Sequence, residues 1–392
     1  MRRLVRPFLF SLLNALAMLA LALFWLSLPR TFGDESFFIK WTSLVKKTLL
    51  GMDPKPDASE FLYVDVSQTK GLLPVNDPLL EEPTGFNHIA ITDRAALTQF
   101  LELVRQYGED VPLVILDVFL EQTTPDDPLL EGVVSEFPFP LVGATDRTFG
   151  SAVPLWRGVA LYLSTDNTFM KYPLHYADSL PTLPLVAYLA ASQTNYAPRG
   201  YGVQLARGRS FTNPIIDFRV RPFDFEPGGP YQIFDLGSLL FQWSFWEETD
   251  IRDMLRGRTL VVGDFKNDLH QTIFGTVPGP MIVHNAYLTI AAGDTLLRWE
   301  WLLLLGALFF WMSWRVYREE EAGTVSWLAS RFQTSFGKVV ADSVDDTFFL
   351  AIGTILSYLI FNIHINILIL LVYLKCVAWL LRRFGFGKKA RL

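Results

Sequence analysis

The chain has 392 residues, of which 51% are hydrophobic and 19% are charged. This composition is more apolar and less charged than that of an average soluble domain, and it excludes a disordered or low-complexity protein. The single cysteine, Cys376, excludes a disulfide framework and any zinc or iron–sulfur site built from several cysteines. The net charge of −6 argues against a nucleic-acid-binding protein, because such proteins normally carry a basic face.

Apolar segments at both ends of the chain predict transmembrane helices. The first, 8–28, has 21 residues without a formal charge, enough for a helix to cross about 30 Å of hydrocarbon. Arg2, Arg3 and Arg6 precede it, as in a signal peptide, but the apolar core is long and no small-residue cleavage site follows. These features favour an uncleaved anchor. Three further segments predict membrane helices 2, 3 and 4: 299–316, 347–363 and 367–381.

The last two of these segments are short and are joined by a tight turn around His364 and Asn366, so a re-entrant hairpin remains an alternative to two full crossings. With four crossings, the basic short segments 1–7, 317–346 and 382–392 all lie on one side, which the positive-inside rule identifies as the cytoplasm. Residues 30–298 contain 21 basic and 33 acidic residues, whereas the rest contains 13 and 7. We therefore expect a multi-pass plasma-membrane protein, with both termini cytoplasmic and residues 29–298 extracytoplasmic.

The large middle portion alternates predicted strands and helices. Thr92 is placed to cap a helix that ends at Tyr107, and Asp126 is placed to cap a helix that ends at Phe137. Residues 280–293 are expected to form a short strand followed by a helix that Gly293 ends. The alternation predicts an α/β fold with a mostly parallel sheet and helices on both faces. In chain order, the other segments are predicted as a helix at 36–50, strands at 61–67, 111–119, 140–144, 158–164 and 170–176, a helix at 179–192, a strand at 215–220, helices at 235–246 and 250–256, and strands at 259–264 and at the start of 280–293.

Two groups of residues resemble the CHASE2 family of bacterial extracytoplasmic sensory domains, over roughly residues 60–297. In the stretch 255–297 the residues that fall on the family pattern are Gly257, Gly263, Asp268, Gly279, His284, Asn285 and Gly293. In the stretch 93–129 they are Asp93, Arg94, Leu97, Phe100, Val104, Asp117, Asp127 and Leu129. The resemblance implies a sensory domain between one N-terminal anchor and about three membrane helices.

Relatives in that family usually continue into a kinase, a nucleotide cyclase or a similar output module, whereas this sequence ends eleven residues after Leu381. We therefore expect a sensor or adaptor that detects a ligand or contact and signals through its membrane helices to a separate protein. A scaffold subunit of a membrane or envelope complex is the main alternative. No G-x-S-x-G, G-x-G-x-x-G or P-loop motif follows a predicted strand, so neither an enzyme nor a bound cofactor is expected. A membrane-anchored hydrolase is a weaker alternative.

Acidic residues occur late in, or directly after, three predicted strands: Asp65, Asp117 and Asp264. If these strands are neighbours, their carboxylates converge where parallel α/β sheets bind ligands. Asp268 and His270 follow in one short loop. The five residues are candidates to bind a divalent cation or a cationic or polyhydroxylated ligand, and the four aspartates would carry the weaker hydrolase alternative. The structural interpretation is that each aspartate caps a helix or stabilises a turn.

His284 is a further candidate ligand-binding residue and, by titrating near neutral pH, a candidate pH switch. The alternative is that His284 and Asn285 hydrogen-bond the backbone locally. No zinc site is expected, because the histidines are too few and too scattered to supply three or four ligands.

Lys375 lies inside the fourth apolar segment, where an ammonium group must snorkel to the interface or find a partner. Since no acidic residue of this chain is predicted at that depth, a pair would imply an assembly partner.

The loop 317–346 contains a basic amphipathic stretch that predicts contact with the membrane surface or with a cytoplasmic protein, unless it is a solvated linker. The expected partners are thus lipid, a signalling or complex protein and a further copy of this chain. The residues that carry the loop's prediction are Trp327, Arg331, Phe332 and Phe336.

Overall fold

A computed structural model describes residues 2–29, 33–74, 88–145, 156–160, 168–176, 180–199, 202–318 and 335–384. The chain divides into two compact units. The first consists of Met1–Asp53, Arg199–Ile215 and Asp294–Leu392, and the second consists of Pro54–Pro198 and Ile216–Gly293. The predicted extracytoplasmic portion, 29–298, therefore contributes residues to both units.

The described residues form helices and strands throughout, and one π-helical turn, Val45–Leu49, continues the second helix. The helices are α1 Arg2–Leu26, α2 Gly33–Leu44, α3 Arg94–Tyr107, α4 Asp127–Ser135, α5 Leu183–Ser192, α6 Leu236–Trp243, α7 Glu248–Leu255, α8 Gly279–Ala292, α9 Trp299–Arg318, α10 Ser335–Phe361 and α11 Ile367–Phe384. The strands are β1 Phe61–Asp65, β2 Lys70–Pro74, β3 His88–Thr92, β4 Val114–Asp117, β5 Leu141–Thr145, β6 Trp156–Val159, β7 Ala197–Arg199, β8 Gly202–Leu205, β9 Gly208–Phe211, β10 Ile233–Asp235, β11 Thr259–Gly263, β12 Leu269–Thr272 and β13 Gly275–Pro278.

A parallel six-stranded sheet forms the centre of the second unit, in the order β10-β1-β11-β4-β5-β6. The chain proceeds from β1 towards β6 on one side, returns to β10 at the opposite edge, and then inserts β11 between β1 and β4. This reversal of strand order creates a switch point beside β11, where parallel α/β sheets bind ligands. The prediction of an α/β fold with a mostly parallel sheet is confirmed.

Both faces of this sheet are covered, which explains why its central strands are apolar throughout. Helices α3, α4, α6 and α7 pack on one face around buried Leu97, Phe100 and Leu240. Helices α5 and α8 pack on the other face, where Tyr63 of β1 contacts His284 of α8.

Two predicted helix caps are wrong. Asp93 caps α3, because its carboxylate accepts a hydrogen bond from the backbone N–H of Ala96 at 3.1 Å, while Thr92 is the last residue of β3. Asp126 precedes α4 without a side-chain capping bond. The neighbouring Asp127 instead accepts a 2.8 Å bond from the N–H of Thr124, and this bond closes the turn before the helix.

Three predicted strands are also wrong. Residues 170–176 make isolated bridges only. In 215–220, the N–H of Ile216 donates to the carbonyl of Met170, and the N–H groups of Arg219 and Val220 donate to the side chain of Asn285 in α8. The residues after Pro280 are helical from the start, since a proline in the first turn favours α-helix initiation. The hairpin of β12 and β13 replaces the irregular loop that the sequence predicted there.

The first unit contains the long apolar helices. Among the described residues, Val5–Leu26 is the one stretch long and apolar enough to cross a membrane by length and composition, and Asp346–Phe361 and Ile367–Leu381 are shorter apolar helices. Helices α1, α9 and α11 share a buried polar contact, in which Asn14 donates to Ser313 at 2.8 Å and accepts from Tyr373 at 2.7 Å. The predicted loop 317–346 is wrong in its last part, because α10 begins at Ser335.

Candidate functional site

The candidate site lies at the carboxyl edge of the three central strands. Asp65 of β1, Gly263 of β11 and Asp117 of β4 are in register at the ends of neighbouring strands, and Asp264 follows Gly263 directly. The structure therefore brings the three predicted carboxylates to one edge of the sheet. Helix α8 also begins here: a Cβ on Gly263 would lie 2.3 Å from Cγ of Pro280, so glycine is needed for the helix to start against the strand.

Asp65 is buried and serves the local backbone. Its carboxylate accepts hydrogen bonds from the N–H of Ser67 at 2.9 Å, from the hydroxyl of Ser67 at 2.7 Å and from the N–H of Phe265 at 3.1 Å. The ammonium of Lys266 lies 3.4 Å from the same carboxylate. Asp65 thus joins the turn after β1 to the turn after β11, as the structural interpretation of this residue predicts.

Asp264 holds the loop after β11 in a comparable way. Its carboxylate accepts hydrogen bonds from the N–H groups of Lys266 at 3.1 Å and Asn267 at 2.8 Å, and it pairs with Lys70 at 3.1 Å. Partial burial acts to raise the pKa of Asp264, but the bonds from Asn267, Lys70 and Lys266 outweigh it and hold the pKa below the ordinary value. Asp264 is therefore ionised at neutral pH and occupied by its own loop.

Asp117, Asp268 and His270 form the part of this sheet edge whose carboxylates accept no hydrogen bond from a backbone N–H of the described residues. The side chain of Asp117, which is partly buried, makes no hydrogen bond with any described residue. Burial raises its pKa to about 7, the negative charge of Asp268 adds to the rise, and His270 opposes it. Asp117 is consequently divided between its neutral and ionised forms near neutral pH.

Asp268 and His270 are a charge-assisted pair beside Asp117. The Nε2 of His270 lies 2.8 Å from Oδ1 of Asp268, and this hydrogen bond raises the pKa of His270 against the opposing effect of burial. Asp268 also lies against the first residue of α8, since a Cβ on Gly279 would come within 1.8 Å of its Oδ2. The positive end of the helix dipole therefore favours a carboxylate at this place. About half of the Asp268 side chain is exposed, so the pair is open to a ligand.

His284 lies apart from this cluster, inside the core beneath α8. Its Nδ1 is 3.2 Å from the hydroxyl of Tyr63, and its ring packs against Phe61 and Tyr287. Burial keeps the pKa of Tyr63 well above its ordinary value, so the phenol is the donor. Burial also lowers the pKa of His284 to about 3, which keeps the ring neutral near neutral pH. This burial disfavours the pH-switch hypothesis for His284.

Asn285, the next residue of α8, has a role that the sequence did not indicate. Its side-chain oxygen accepts bonds from the N–H groups of Arg219 at 2.9 Å and Val220 at 3.0 Å, and its amide donates to the carbonyl of Val220 at 2.7 Å. These bonds connect α8 to a segment 65 residues away. The same amide also donates to the carbonyl of Met281 at 2.9 Å, which is the local backbone bond that the sequence predicted for Asn285. A fully buried asparagine on an apolar helix was the available signal.

A buried ion pair supports the loop that follows Asp117. Nε of Arg94 lies 3.5 Å from Oδ1 of Asp127, and its Nη2 donates to the carbonyl of Phe119 at 3.1 Å. The pair therefore fixes the path of the chain just beyond β4. No three His, Cys, Asp or Glu side chains in the described ranges are grouped to hold a metal ion.

The membrane-related candidates fall in the first unit. Lys375 of α11 donates to Asp346 of α10 at 2.7 Å, so the inference that its partner must come from another protein is wrong. The pair forms because α10 begins well before the predicted third segment and carries Asp346 into the helical hairpin. Phe336 lies within α10, whereas the predicted contact residues Trp327, Arg331 and Phe332 lie outside the described residues.

Comparison with known proteins adds no relative to this description: no family model, no curated protein and no solved structure matches the chain. The interpretation of the site therefore depends on the chain's own residues and contacts. The resemblance to the CHASE2 family remains a prediction from the sequence motifs, to be tested with the function that it implies.

Proposed function

We propose that this protein is a sensor or adaptor of the bacterial inner membrane, with a CHASE2-type α/β unit outside the cytoplasm. The unit binds a small cationic or polyhydroxylated ligand at Asp117 and Asp268, and the change passes through α8 and α9 to a separate partner protein. Helices α1, α9, α10 and α11 cross the membrane, with both chain termini in the cytoplasm.

The observation that carries the proposal is the position of α8. Its first residue, Gly279, packs against the half-exposed carboxylate of Asp268. Its C-cap, Gly293, lies six residues before α9 begins at Trp299. The helix is about 20 Å long and is bonded to residues 219–220 through Asn285, so the helix and that segment can move together as one rigid element. A ligand that favours one position of Asp268 therefore favours one position of α8, which is the differential affinity that signalling requires.

The chemistry of the open edge selects the ligand class. Asp268 offers carboxylate oxygens, and Asp117 can accept a hydrogen bond when ionised or donate one when protonated. Amines and hydroxyl-rich molecules match these groups, whereas an anion would meet two carboxylates. Asp65 and Asp264 are already bound by their own loops, and this occupancy disfavours the hydrolase that all four aspartates together would carry.

Exposed apolar surface supports the membrane crossings. Leu13 and Leu16 of α1 are mostly exposed on the protein surface, as lipid-facing residues are. Arg315 of α9 lies 5.0 Å from the ring centroid of Trp311, a pairing suited to the end of a spanning helix. The bond from Asp346 lowers the cost of placing Lys375 in an apolar helix, because a buried ammonium is tolerated when it is paired.

Hydrogen–deuterium exchange of the full chain in lipid nanodiscs tests the proposal. Spermidine serves as the cationic probe and trehalose as the polyhydroxylated probe. Either probe is expected to protect residues 264–281 and to change exchange at the start of α9. The variant D117N should lose the effect, whereas E131Q, at a surface position on α4, should keep it. Protection that is identical in wild type and D117N, or unchanged exchange with both probes, contradicts the proposed site.

A scaffold function is favoured by a separate feature of the second unit. Helix α6 and the residues after it expose Phe241, Phe245 and Trp246, and the rings of Phe241 and Phe245 lie 5.0 Å apart. Such an exposed aromatic patch is typical of protein-binding surfaces. If probes have no effect but a protein that copurifies with wild type is lost from F241S/F245S, the unit is a binding platform rather than a sensor.

A further inference from the structure

Helix α2 and the π-helical turn after it bury most of their polar side chains, together with Ile39, and expose large apolar side chains. Glu35 is completely buried and Lys46 is 8% exposed, whereas Phe37 is 58% exposed and Trp41 is 54% exposed. The apolar exposure continues beyond the turn. The other exposed apolar residues of this segment are Leu49, Leu50 and Met52.

The packed side is held by polar contacts within the first unit. The hydroxyl of Ser43 hydrogen-bonds that of Tyr358 in α10, and the ammonium of Lys46 lies 5.6 Å from the ring centroid of the same tyrosine. Lys47 forms an ion pair with Asp53 at 3.2 Å. The charged side of the segment is thus covered by α10 and by the segment's own continuation, and it is not directed towards water.

This arrangement is the reverse of a water-facing helix. In water, an amphipathic helix buries its apolar stripe and exposes its charges. Here the buried side includes Lys46 and Lys47, and the open side includes an aromatic pair, Phe37 and Trp41, whose rings lie 6.2 Å apart. Reversed polarity is favourable in lipid, where polar groups must be satisfied inside the protein and apolar side chains face hydrocarbon.

The wide π-helical turn fits the same interpretation. The backbone N–H of Leu50 donates to the carbonyl of Val45 at 3.0 Å, and the N–H of Met52 donates to that of Lys46 at 2.9 Å. The backbone of the segment's end is therefore satisfied internally, as it must be at a lipid boundary. Lys40, the one basic residue on the open side between Phe37 and Trp41, is exposed and long enough to reach lipid headgroups.

We propose that residues 33–52 are embedded in the lipid interface, with Phe37, Trp41, Leu49 and Leu50 against acyl chains. The inference rests on the proposed membrane location of the chain and moves the boundary of the extracytoplasmic portion from residue 29 to beyond Met52. The partner of this surface is the lipid bilayer. A second copy of the chain is the competing occupant.

Single-cysteine variants of the full chain, made in a C376S background, test the proposal in nanodiscs of phosphatidylcholine with a minority of phosphatidylglycerol. F37C and W41C probe the segment. L13C on α1 reports on the membrane location itself, and L129C, an exposed position on α4, reports on water. Each cysteine is labelled with an environment-sensitive fluorophore, and its quenching by doxyl lipid and its reaction with an impermeant maleimide are measured.

The proposal expects F37C and W41C to be quenched several-fold more than L129C and to react more slowly than L129C with the maleimide. Fast maleimide reaction without quenching overturns it, because the segment is then in water. Slow reaction without quenching also overturns it, because protein then covers the segment. If L13C itself is not quenched, the proposed membrane location fails, and that outcome is distinct from failure of the segment alone.

Discussion

Replacing His284 with phenylalanine should remove a pH dependence from the stability of the α/β unit. Phenylalanine keeps the ring contacts with Phe61 and Tyr287 but has no nitrogen to titrate. It also leaves the Tyr63 hydroxyl without its partner, which lowers stability by about 1–2 kcal/mol at every pH. The informative quantity is therefore the change of the free energy of unfolding with pH.

The size of that change follows from the pKa of His284. Burial lowers it to about 3 in the folded protein, while an unfolded chain has an ordinary value near 6.5. The unfolded state thus binds the proton first, and wild-type stability falls as the pH drops below 6.5. At pH 5 the loss relative to pH 8 is about 2 kcal/mol, and it stays near that figure for any folded pKa below about 4.

Thermal unfolding of the full chain in nanodiscs at pH 8 and pH 5 measures this loss. About 2 kcal/mol corresponds to a fall of roughly 4–8 °C in the midpoint for a unit of this size, and H284F should show a fall smaller by that amount. Comparing the two proteins cancels the contributions of Asp117 and His270. H88F, at an exposed histidine of β3, should behave as wild type. An equal fall in wild type and H284F would refute the reasoning, because His284 would then not be held neutral by burial.

Three further substitutions follow from the same contacts. D117N should stabilise the unit by roughly 2–4 kcal/mol at pH 8 and by less as the pH falls towards 4. Because the pKa of Asp117 is raised in the folded unit, its ionised form lowers stability at pH values above the ordinary pKa of 3.8. Thermal unfolding across this pH range measures the difference. N285A should lower stability by about 3 kcal/mol through unpaired buried backbone groups at Val220, read from urea unfolding, and an unchanged midpoint would contradict the role of these bonds. K375M alone should reduce the recovery of monodisperse protein in detergent, and adding D346L should restore it, because removing one partner leaves an uncompensated charge whereas removing both does not.

The parallel sheet was predictable because its strands carry strong local signals. The apolar runs of β1, β4 and β11 indicate strands covered on both faces, and the helices between them repeat apolar residues at helical spacing. The pairing of β11 between β1 and β4 had no such signal, since strand order depends on contacts across some 200 residues. The sequence therefore predicted that Asp65, Asp117 and Asp264 converge only if their three strands are neighbours.

The errors occurred where a side chain from a distant element decides the local structure. Residues 215–220 have the composition of a strand, but Asn285 takes the N–H groups of Arg219 and Val220 that a ladder would need. The apolar residues after Pro280 also favour a strand by composition. They are helical because the proline starts a helix against Gly263, and no local rule reveals that contact.

In the described part of the chain, the carboxylate of Asp117 accepts no backbone hydrogen bond, whereas those of Asp65 and Asp264 do. The three stand at equivalent strand ends, so the difference comes from the residues that follow each of them. Asp65 and Asp264 are followed by residues whose N–H groups turn back to them, so each is satisfied within its own loop or by the adjacent one. Asp117 is followed by a segment whose Phe119 carbonyl is bonded by Arg94, and among the described residues no N–H donates to the Asp117 carboxylate. One strand end is therefore left without a bond from its own loop, and Asp268, which lies against the first residue of α8, is beside it. The edge that we propose binds a ligand therefore differs from its neighbours by having no local turn bonded to its carboxylate among the described residues.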